Sequence, residues 1–327
     1  MQLMKTKKTD SDQIHTKIQR LLTRSDTPLI LSHIRPDGDA IGSIIGLSLA
    51  LQKRGKKPQM VLTGGLPRKF SFLAGADQIT RDIKSNYDLI VALDCADKKR
   101  VGSPTELADI HINIDHHITN ELYAETNLVI PEQSATTAIL AEYLPSWGFP
   151  IDKDIANALL VGMITDTIGF RTSNVTPGFL RLAADLMEKG ADLSSLYHQA
   201  LTAQSLSASM IWGNSLSRIK SEGNLAWTTI TLEDRANARY QGKDDADLTN
   251  HLSSLEKIDV AILFNEQKDG KVKVSWRSNT KFDVSKIAML FDGGGHPPAA
   301  GAEITGSLET VMELVLEETK KFMQGKN

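Results

Sequence analysis

The chain has 327 residues, enough for two cores. Hydrophobic residues make up 41% and charged residues 24%, an ordinary globular composition, and 37 basic against 40 acidic side chains leave a formal net charge of −3. A surface that grips long duplex DNA calls for a basic excess, so this balance argues against such a partner and leaves small anions open. The one cysteine, Cys95, rules out an intramolecular disulfide and a multi-cysteine zinc site. Lys5, Lys7 and Lys8 are not followed by an apolar h-region, and no stretch approaches the roughly 20 apolar residues of a spanning helix. A cytoplasmic protein without a membrane partner is expected.

Residues 28–32 form a short apolar run that predicts a buried strand. Residues 41–54 carry Ile41, Ile44, Ile45, Leu47, Leu49 and Leu51 with small residues between them. That pattern predicts a buried helix, stopped by Gly55. Residues 59–62, 88–93 and 109–114 read as further strands, and 136–143, 155–164 and 179–189 as helices. Strands separated by helices predict βαβ units and a mostly parallel sheet. Beyond about residue 190 the pattern changes. Residues 193–215 are polar and helix-prone, 226–232 read as a strand, and 260–264 and 271–276 flank Asp269-Gly270, a hairpin signal. A short helix at 286–291 and a strand at 299–304 follow. The expectation is an α/β protein with a catalytic domain over residues 1–190, a helical connector over 191–215 and a smaller α/β domain over 216–327.

Four of these apolar segments run into acid or histidine. The first strand leads to His33-Ile-Arg-Pro-Asp37-Gly-Asp39, the third to Asp94, the fourth to Asp115-His116-His117, and the helix starting at 155 to Asp166. Open parallel sheets bind ligands outside the carboxyl ends of their strands, so three of these clusters should converge. Asp37-Gly38-Asp39 alone reads about equally well as a turn, and a lone aspartate after a strand as a helix cap. Capping explains poorly a set of five carboxylates and three imidazoles. Packed together, these groups would repel and lose hydration, and bound cations offset both costs. Oxygen-rich ligands without thiolates suit Mn²⁺ first, with Mg²⁺ and Co²⁺ as alternatives. There are ligands enough for two ions sharing a carboxylate, the arrangement that activates water for attack at phosphorus. His111 reads as a structural histidine, Cys95 as a small buried thiol, and His15, His198 and His251 as surface or helix-face residues.

The run from His33 to Ser43, the isolated Asp94, Asp115-His116-His117 and Asp166 resemble the four motifs of the DHH phosphoesterase superfamily. Gly293-Gly-Gly-His296-Pro-Pro-Ala-Ala-Gly301 resembles the GGGH signature of the DHHA1 domain. These motifs span residues 33 to 301, and the layout is most similar to the NrnA-type oligoribonuclease and phosphoadenosine-phosphate phosphatase group. The resemblance implies that His33, Asp37 and Asp94 hold one ion. It implies that Asp39, Asp94, His116 and Asp166 hold a second, with Asp94 bridging. His117 would face the scissile phosphate and Asp115 would orient an imidazole.

In the second domain the resemblance implies that Arg277, Ser278, Gly294, Gly295 and His296 contact substrate phosphate and base. Arginine suits bidentate phosphate contact, and consecutive glycines let backbone N–H groups face an anion. By itself the glycine run reads equally well as a turn between helix and strand. Ions in one domain and a phosphate clamp in the other would limit substrates to a few nucleotides. The expected reaction is hydrolysis of short single-stranded oligoribonucleotides to mononucleotides, of 3′-phosphoadenosine 5′-phosphate to AMP, or both. Cyclic di-AMP or its linear product pApA is the alternative substrate, and a nucleotide-sensing module is the non-enzymatic alternative. The resemblance also implies a homodimer.

Overall fold

The computed structural model describes residues 2–84, 86–101, 109–242, 244–246, 248–279 and 281–325; the side chains of residues 2–11, 250 and 296 lie outside the described set. The chain forms two units, Met1–Ala203 and Gln204–Asn327, dividing inside the segment 191–215 that the sequence reads as connector. Among the described residues no helix is long and apolar enough to cross a membrane.

The first unit runs α1 (Gln2–Arg24), β1 (Pro28–Leu31), α2 (Gly38–Gln52), β2 (Gln59–Val61), β3 (Leu89–Leu93), β4 (Ile112–Asp115), β5 (Thr126–Val129), α3 (Thr136–Tyr143), α4 (Lys153–Asp166), α5 (Pro177–Glu188) and α6 (Leu193–Tyr197). Its strands form one parallel sheet in the order β2-β1-β3-β4-β5. Both faces are covered, which is why β1 and β3 read as unbroken apolar runs. Ile30, Val91, Leu93, Ile112 and Ile114 join the helical core, while Leu29, Leu31, Val61, Ile90 and Ala92 form a second cluster on the opposite face. The chain leaves β1 toward β2 and returns on its other side as β3, so the strand order reverses at β1/β3. That is the point where doubly wound sheets open a crevice for ligands. Register keeps the strand ends level there, with Leu31 opposite Ala92 and Leu93 opposite Ile114.

Helices α2 and α4 approach backbone to backbone. A Cβ added at Gly42 would lie 2.4 Å from the Ala158 carbonyl oxygen, and one at Gly162 would lie 2.4 Å from Thr137 Cγ2. The fourth strand starts later than the sequence pattern suggests, at Ile112. Just before it, His111 works as a structural group: its Nδ1 accepts from the Ile90 N–H at 3.1 Å. The sequence reading misses α1, a largely polar helix anchored by buried Ile18 and Leu22, and β5, a four-residue strand at the sheet edge.

The segment 193–215 is not one helix. After α6 comes a π-turn, His198–Thr202, and then α7 (Leu206–Ser217), restarted by Ser205, whose Oγ accepts from the Ala208 N–H at 3.1 Å. The second unit continues with β6 (Lys220–Glu222), β7 (Leu225–Ile230), α8 (Leu232–Asn237), α9 (Leu248–Leu252), β8 (Val260–Glu266), β9 (Lys271–Ser278), α10 (Val284–Met289), β10 (Gly294–His296), β11 (Ala299–Thr305) and α11 (Leu308–Met323). Its sheet has the order β10-β11-β9-β8-β7-β6, with only β7 and β8 parallel. The Asp269-Gly270 hairpin is present, with Gly270 left-handed at φ +69°. The glycine run departs from the turn expectation: Gly294–His296 is an edge strand antiparallel to Ala299–Gly301. Helices and sheet together make both units α/β.

Gly42→Ala is expected to lower stability by roughly 1–3 kcal/mol through overpacking against α4. Gly64→Ala, with nothing within 4 Å of the added carbon, is expected to stay within about 0.5 kcal/mol. Parallel denaturant titrations check the difference, and equal midpoints for the two variants would refute the close α2–α4 approach.

Candidate metal centre

Each acid or histidine is positioned by the end of an element. His33 follows β1, where the Ile34 N–H donates to the Arg100 carbonyl at 2.8 Å. Asp37 is the N-cap of α2, its Oδ1 accepting from the N–H groups of Asp39 and Ala40 at 3.0 and 3.1 Å. Asp94 follows β3 in a left-handed conformation, φ +52°, with its N–H still bonded to the Ile114 carbonyl at 3.0 Å. Aspartate tolerates that conformation better than most residues, and such positions cluster at functional sites. Asp115 is the last residue of β4 and Asp166 the last of α4. A left-handed run at Ile168, Gly169 and Phe170 turns the chain away after Asp166.

The side chains converge on Asp94, whose two oxygens face different partners. Oδ2 lies 3.7 Å from His33 Nε2, which is itself 4.0 Å from Asp37 Oδ1. Oδ1 lies 3.7 Å from His116 Nε2, which is 3.5 Å from Asp166 Oδ2 and 4.0 Å from Asp39 Oδ2. Both imidazoles are oriented through Nδ1. His33 Nδ1–H donates to the Ile34 carbonyl at 2.9 Å and His116 Nδ1–H to the Gln133 carbonyl at 3.3 Å. A carbonyl only accepts, so Nδ1 is the donor there and Nε2 is the ring nitrogen that faces the cluster. The Nε2-to-oxygen spacings exceed ordinary hydrogen-bond lengths. They match two ligands of one cation, each about 2.1 Å from it and so roughly 3–4.2 Å apart. Three such groups form among the described residues: His33 with Asp37 and Asp94, Asp39 with His116 and Asp166, and Asp94 with Asp115, His116 and His117, the ligand atoms of each lying within 4.8 Å of one another.

Electrostatics point the same way. Among the described residues no lysine or arginine pairs with these carboxylates; their partners are imidazoles. Burial, then the charges of Asp94 and Asp166, push Asp39 well above the usual carboxylate range. Burial and the charges of Asp94 and Asp37 raise Asp166 to about 7. For Asp94 burial acts upward, but the His33 bond and the imidazole charges outweigh it and hold this carboxyl low. A divalent cation at this place would favour the ionised form of all three.

Sequence reasoning missed the groups that hold Asp39. Its Oδ2 accepts from the Thr136 N–H at 2.6 Å, and its Oδ1 from the Thr137 N–H and hydroxyl at 2.9 and 2.6 Å. The Thr136 hydroxyl donates to Asp94 Oδ1 at 3.1 Å. Asp39 thus caps α3 from a distant part of the chain. The signal was Ala135, an N-cap residue with no side chain to do this.

His117, 42% exposed at its side chain, donates from Nδ1–H to Asp115 Oδ1 at 2.7 Å. That bond, working against burial, raises the imidazole to about 9. The imidazole that Asp115 orients is therefore His117, and Cys95 beside Asp94 is a buried thiol that burial pushes up to about 11.

In the second unit Arg277 is half-buried, donates from Nη1 to the Trp276 carbonyl at 3.0 Å, and has no carboxylate at ion-pair distance among the described residues. Ser278 Oγ accepts from the Phe282 N–H at 3.2 Å. Ala299 pairs with Arg277 on one side and His296 on the other, so β9 and β10 flank β11 at one level with Gly294 and Gly295 on the edge strand. The side chain of His296 lies outside the described residues.

The DHH family, N-terminal domain, matches residues 28–163, and the DHHA1 domain matches residues 233–325. The bifunctional oligoribonuclease and PAP phosphatase NrnA of Thermus thermophilus is 34% identical over 296 residues, 89% of each chain. The chain belongs to the DHH family. The bifunctional oligoribonuclease and PAP phosphatase NrnA of Bacillus subtilis is 25% identical over 88% of this chain and 93% of that one. An exopolyphosphatase-related protein from Bacteroides fragilis has a crystal structure that superposes with a TM-score of 0.85 at 27% identity, covering 97% of this chain and 98% of that one.

The cluster's titration fixes how cations affect stability. Asp39, Asp166 and His33 have folded-state values above their unfolded ones. In the metal-free protein their contribution is fully present below the unfolded values and is lost as pH rises through the folded ones, to about 7 for Asp166. Cations that displace those protons therefore stabilise more at higher pH. The Mn²⁺-induced rise in thermal midpoint is expected to be larger at about pH 7.5 than at about pH 5.5, against chelator controls. An equal rise at both would overturn this account.

Proposed function

We propose that this chain is a dimetal phosphoesterase that hydrolyses short single-stranded oligoribonucleotides and 3′-phosphoadenosine 5′-phosphate. The observation that carries the reading is the divided Asp94 carboxylate, one oxygen toward His33 and the other toward His116. His33, Asp37 and Asp94 would hold one divalent cation; Asp39, Asp94, His116 and Asp166 would hold the other. Mn²⁺ fits this oxygen-rich, thiolate-free set, with Mg²⁺ and Co²⁺ as substitutes. When bound, the pair supplies Lewis acidity at phosphorus and a water acidic enough to attack at neutral pH.

The protein's own part is positioning and charge. His117, tied to Asp115 through Nδ1 and partly exposed, would offer Nε2 as a donor to a phosphoryl oxygen. Thr136 and Thr137 keep Asp39 and Asp94 from swinging toward other partners. In the second unit Arg277, half-buried and without a carboxylate at ion-pair distance among the described residues, is a cation suited to a phosphate. With Ser278, Gly294, Gly295 and His296 it would bind substrate phosphate and base. The substrate class is supported by the names of the Thermus and Bacillus relatives, which join oligoribonuclease and PAP phosphatase. We extend the reading to a cytoplasmic homodimer.

Release of monomer from a short RNA, and of phosphate from 3′-phosphoadenosine 5′-phosphate, tests the reading in Mn²⁺. Asp94→Ala and His116→Ala are expected to lower both rates by at least about 100-fold while circular dichroism stays unchanged. Full activity of Asp94→Ala would falsify the bridging role. Tight binding of RNA without turnover by the unmodified protein would replace the enzyme with a sensor.

A further inference from the structure

The loop after His117 has no apolar anchor at its tip. Ile118 is 86% exposed and Leu122 is 61% exposed. Polar bonds hold it instead: the Glu121 N–H donates to the Ala96 carbonyl at 2.9 Å, Asn127 Nδ2 to the Leu122 carbonyl at 3.2 Å, and the Asn120 side-chain amide reaches inward. Asn120 Nδ2 donates to Asp115 Oδ2 at 2.6 Å and to Asn113 Oδ1 at 2.8 Å. Its Oδ1 accepts from the Leu122 N–H at 2.8 Å, which settles which way the amide faces, since an N–H cannot pair with Nδ2. Its backbone N–H donates to the His117 carbonyl at 3.1 Å and closes the turn.

Two lines run from this amide. One goes through Asp115, fully buried, whose Oδ1 takes the His116 N–H at 2.8 Å and His117 Nδ1–H at 2.7 Å. The other goes to the peptide beside Asp94. The Cys95 carbonyl accepts from the Tyr123 hydroxyl at 2.8 Å, from Asn113 Nδ2 at 3.3 Å and from Asn120 Nδ2 at 3.4 Å. The left-handed residue Asp94 and the imidazole of His117 thus share one polar network. No lysine or arginine among the described residues neutralises Asp115. The hydrogen bonds alone keep it an aligned acceptor.

We infer that Asn120 is a positioning residue for phosphoester hydrolysis, holding Asp115 and through it the His117 imidazole in register with Asp94. This rests on the role of His117 in the proposed function. Asn120 touches neither substrate nor ion; it acts by completing the acceptor set of Asp115, so that the His117 Nδ1–H bond keeps its direction. Asn120→Asp would place an acceptor against that carboxylate, and Asn120→Ala would leave one of its oxygens without its donor.

The experiment is a double-mutant cycle on the full, Mn²⁺-loaded chain, with 3′-phosphoadenosine 5′-phosphate as substrate. Asn120→Ala is expected to lower kcat about tenfold or more, with KM and Mn²⁺ affinity within about twofold of the unmodified protein. In a His117→Ala background the same change is expected to cost nothing further, because its effect passes through that imidazole. A purely structural role would lower kcat by the same factor in both backgrounds, and that result overturns the inference. So does an unchanged kcat for Asn120→Ala where His117→Ala is impaired, a result that leaves the proposed function standing. Full activity of His117→Ala sinks the role of His117 itself and this inference with it. Asn120→Asp, equal in volume, carries the same cycle should Asn120→Ala fail to fold.

Discussion

Like charges buried together govern the first unit. Asp39, Asp94 and Asp115 are each no more than 1% exposed, and Asp166 faces them from the end of α4. Bringing such groups out of water costs free energy in proportion to how poorly they are compensated. The chain compensates largely with neutral donors: threonine amides and hydroxyls on Asp39, a threonine hydroxyl on Asp94 and an asparagine amide on Asp115, which also takes the His117 imidazole. Donors of this kind align a carboxylate without cancelling its charge. The cluster keeps a fixed geometry of carboxyl groups that a divalent cation would hold ionised, as a receptor for small, strongly charged cations requires.

The parallel sheet makes that concentration achievable. Strand order reverses at β1/β3, so neither neighbouring connection crosses the crevice, and the ends of β1, β3 and β4 open into the same space. Helix α2 starts from that crevice, and its glycines let α4 run close enough to deliver Asp166. Gly162 shows how tight the arrangement is: an added Cβ would sit 2.7 Å from Asp39 Oδ1 as well as against Thr137.

Much of this was legible in the sequence, because the informative residues sit where apolar runs stop. A strand end followed by Asp or His is a local pattern, and the rule about carboxyl ends turns several local patterns into one place. Less legible were features that depend on distant partners. Thr136 and Thr137 look like ordinary helix-starting residues until Asp39 arrives from α2. Asn120 looks like a turn residue until Asp115 lies behind it. β5 alternates buried and half-buried positions over only four residues, too short a run to stand out. The glycine run could not be told from a turn because its strand character comes from pairing with Ala299–Gly301, which no window around residues 293–296 contains.

The grip on Asp39 has a consequence for coordination. Three donors from one helix start occupy most of the lone pairs of this carboxylate, and they are rigid because they belong to α3. In the proposed centre such a group would offer an ion a single direction and would resist rotating to become bidentate. Adjustment of a coordination shell would then fall to Asp166, the last residue of its own helix, and to the exposed Asp37. The proposed centre would have a stiff floor and a yielding rim, and a larger cation such as Ca²⁺, which favours bidentate carboxylates, would find the floor unaccommodating.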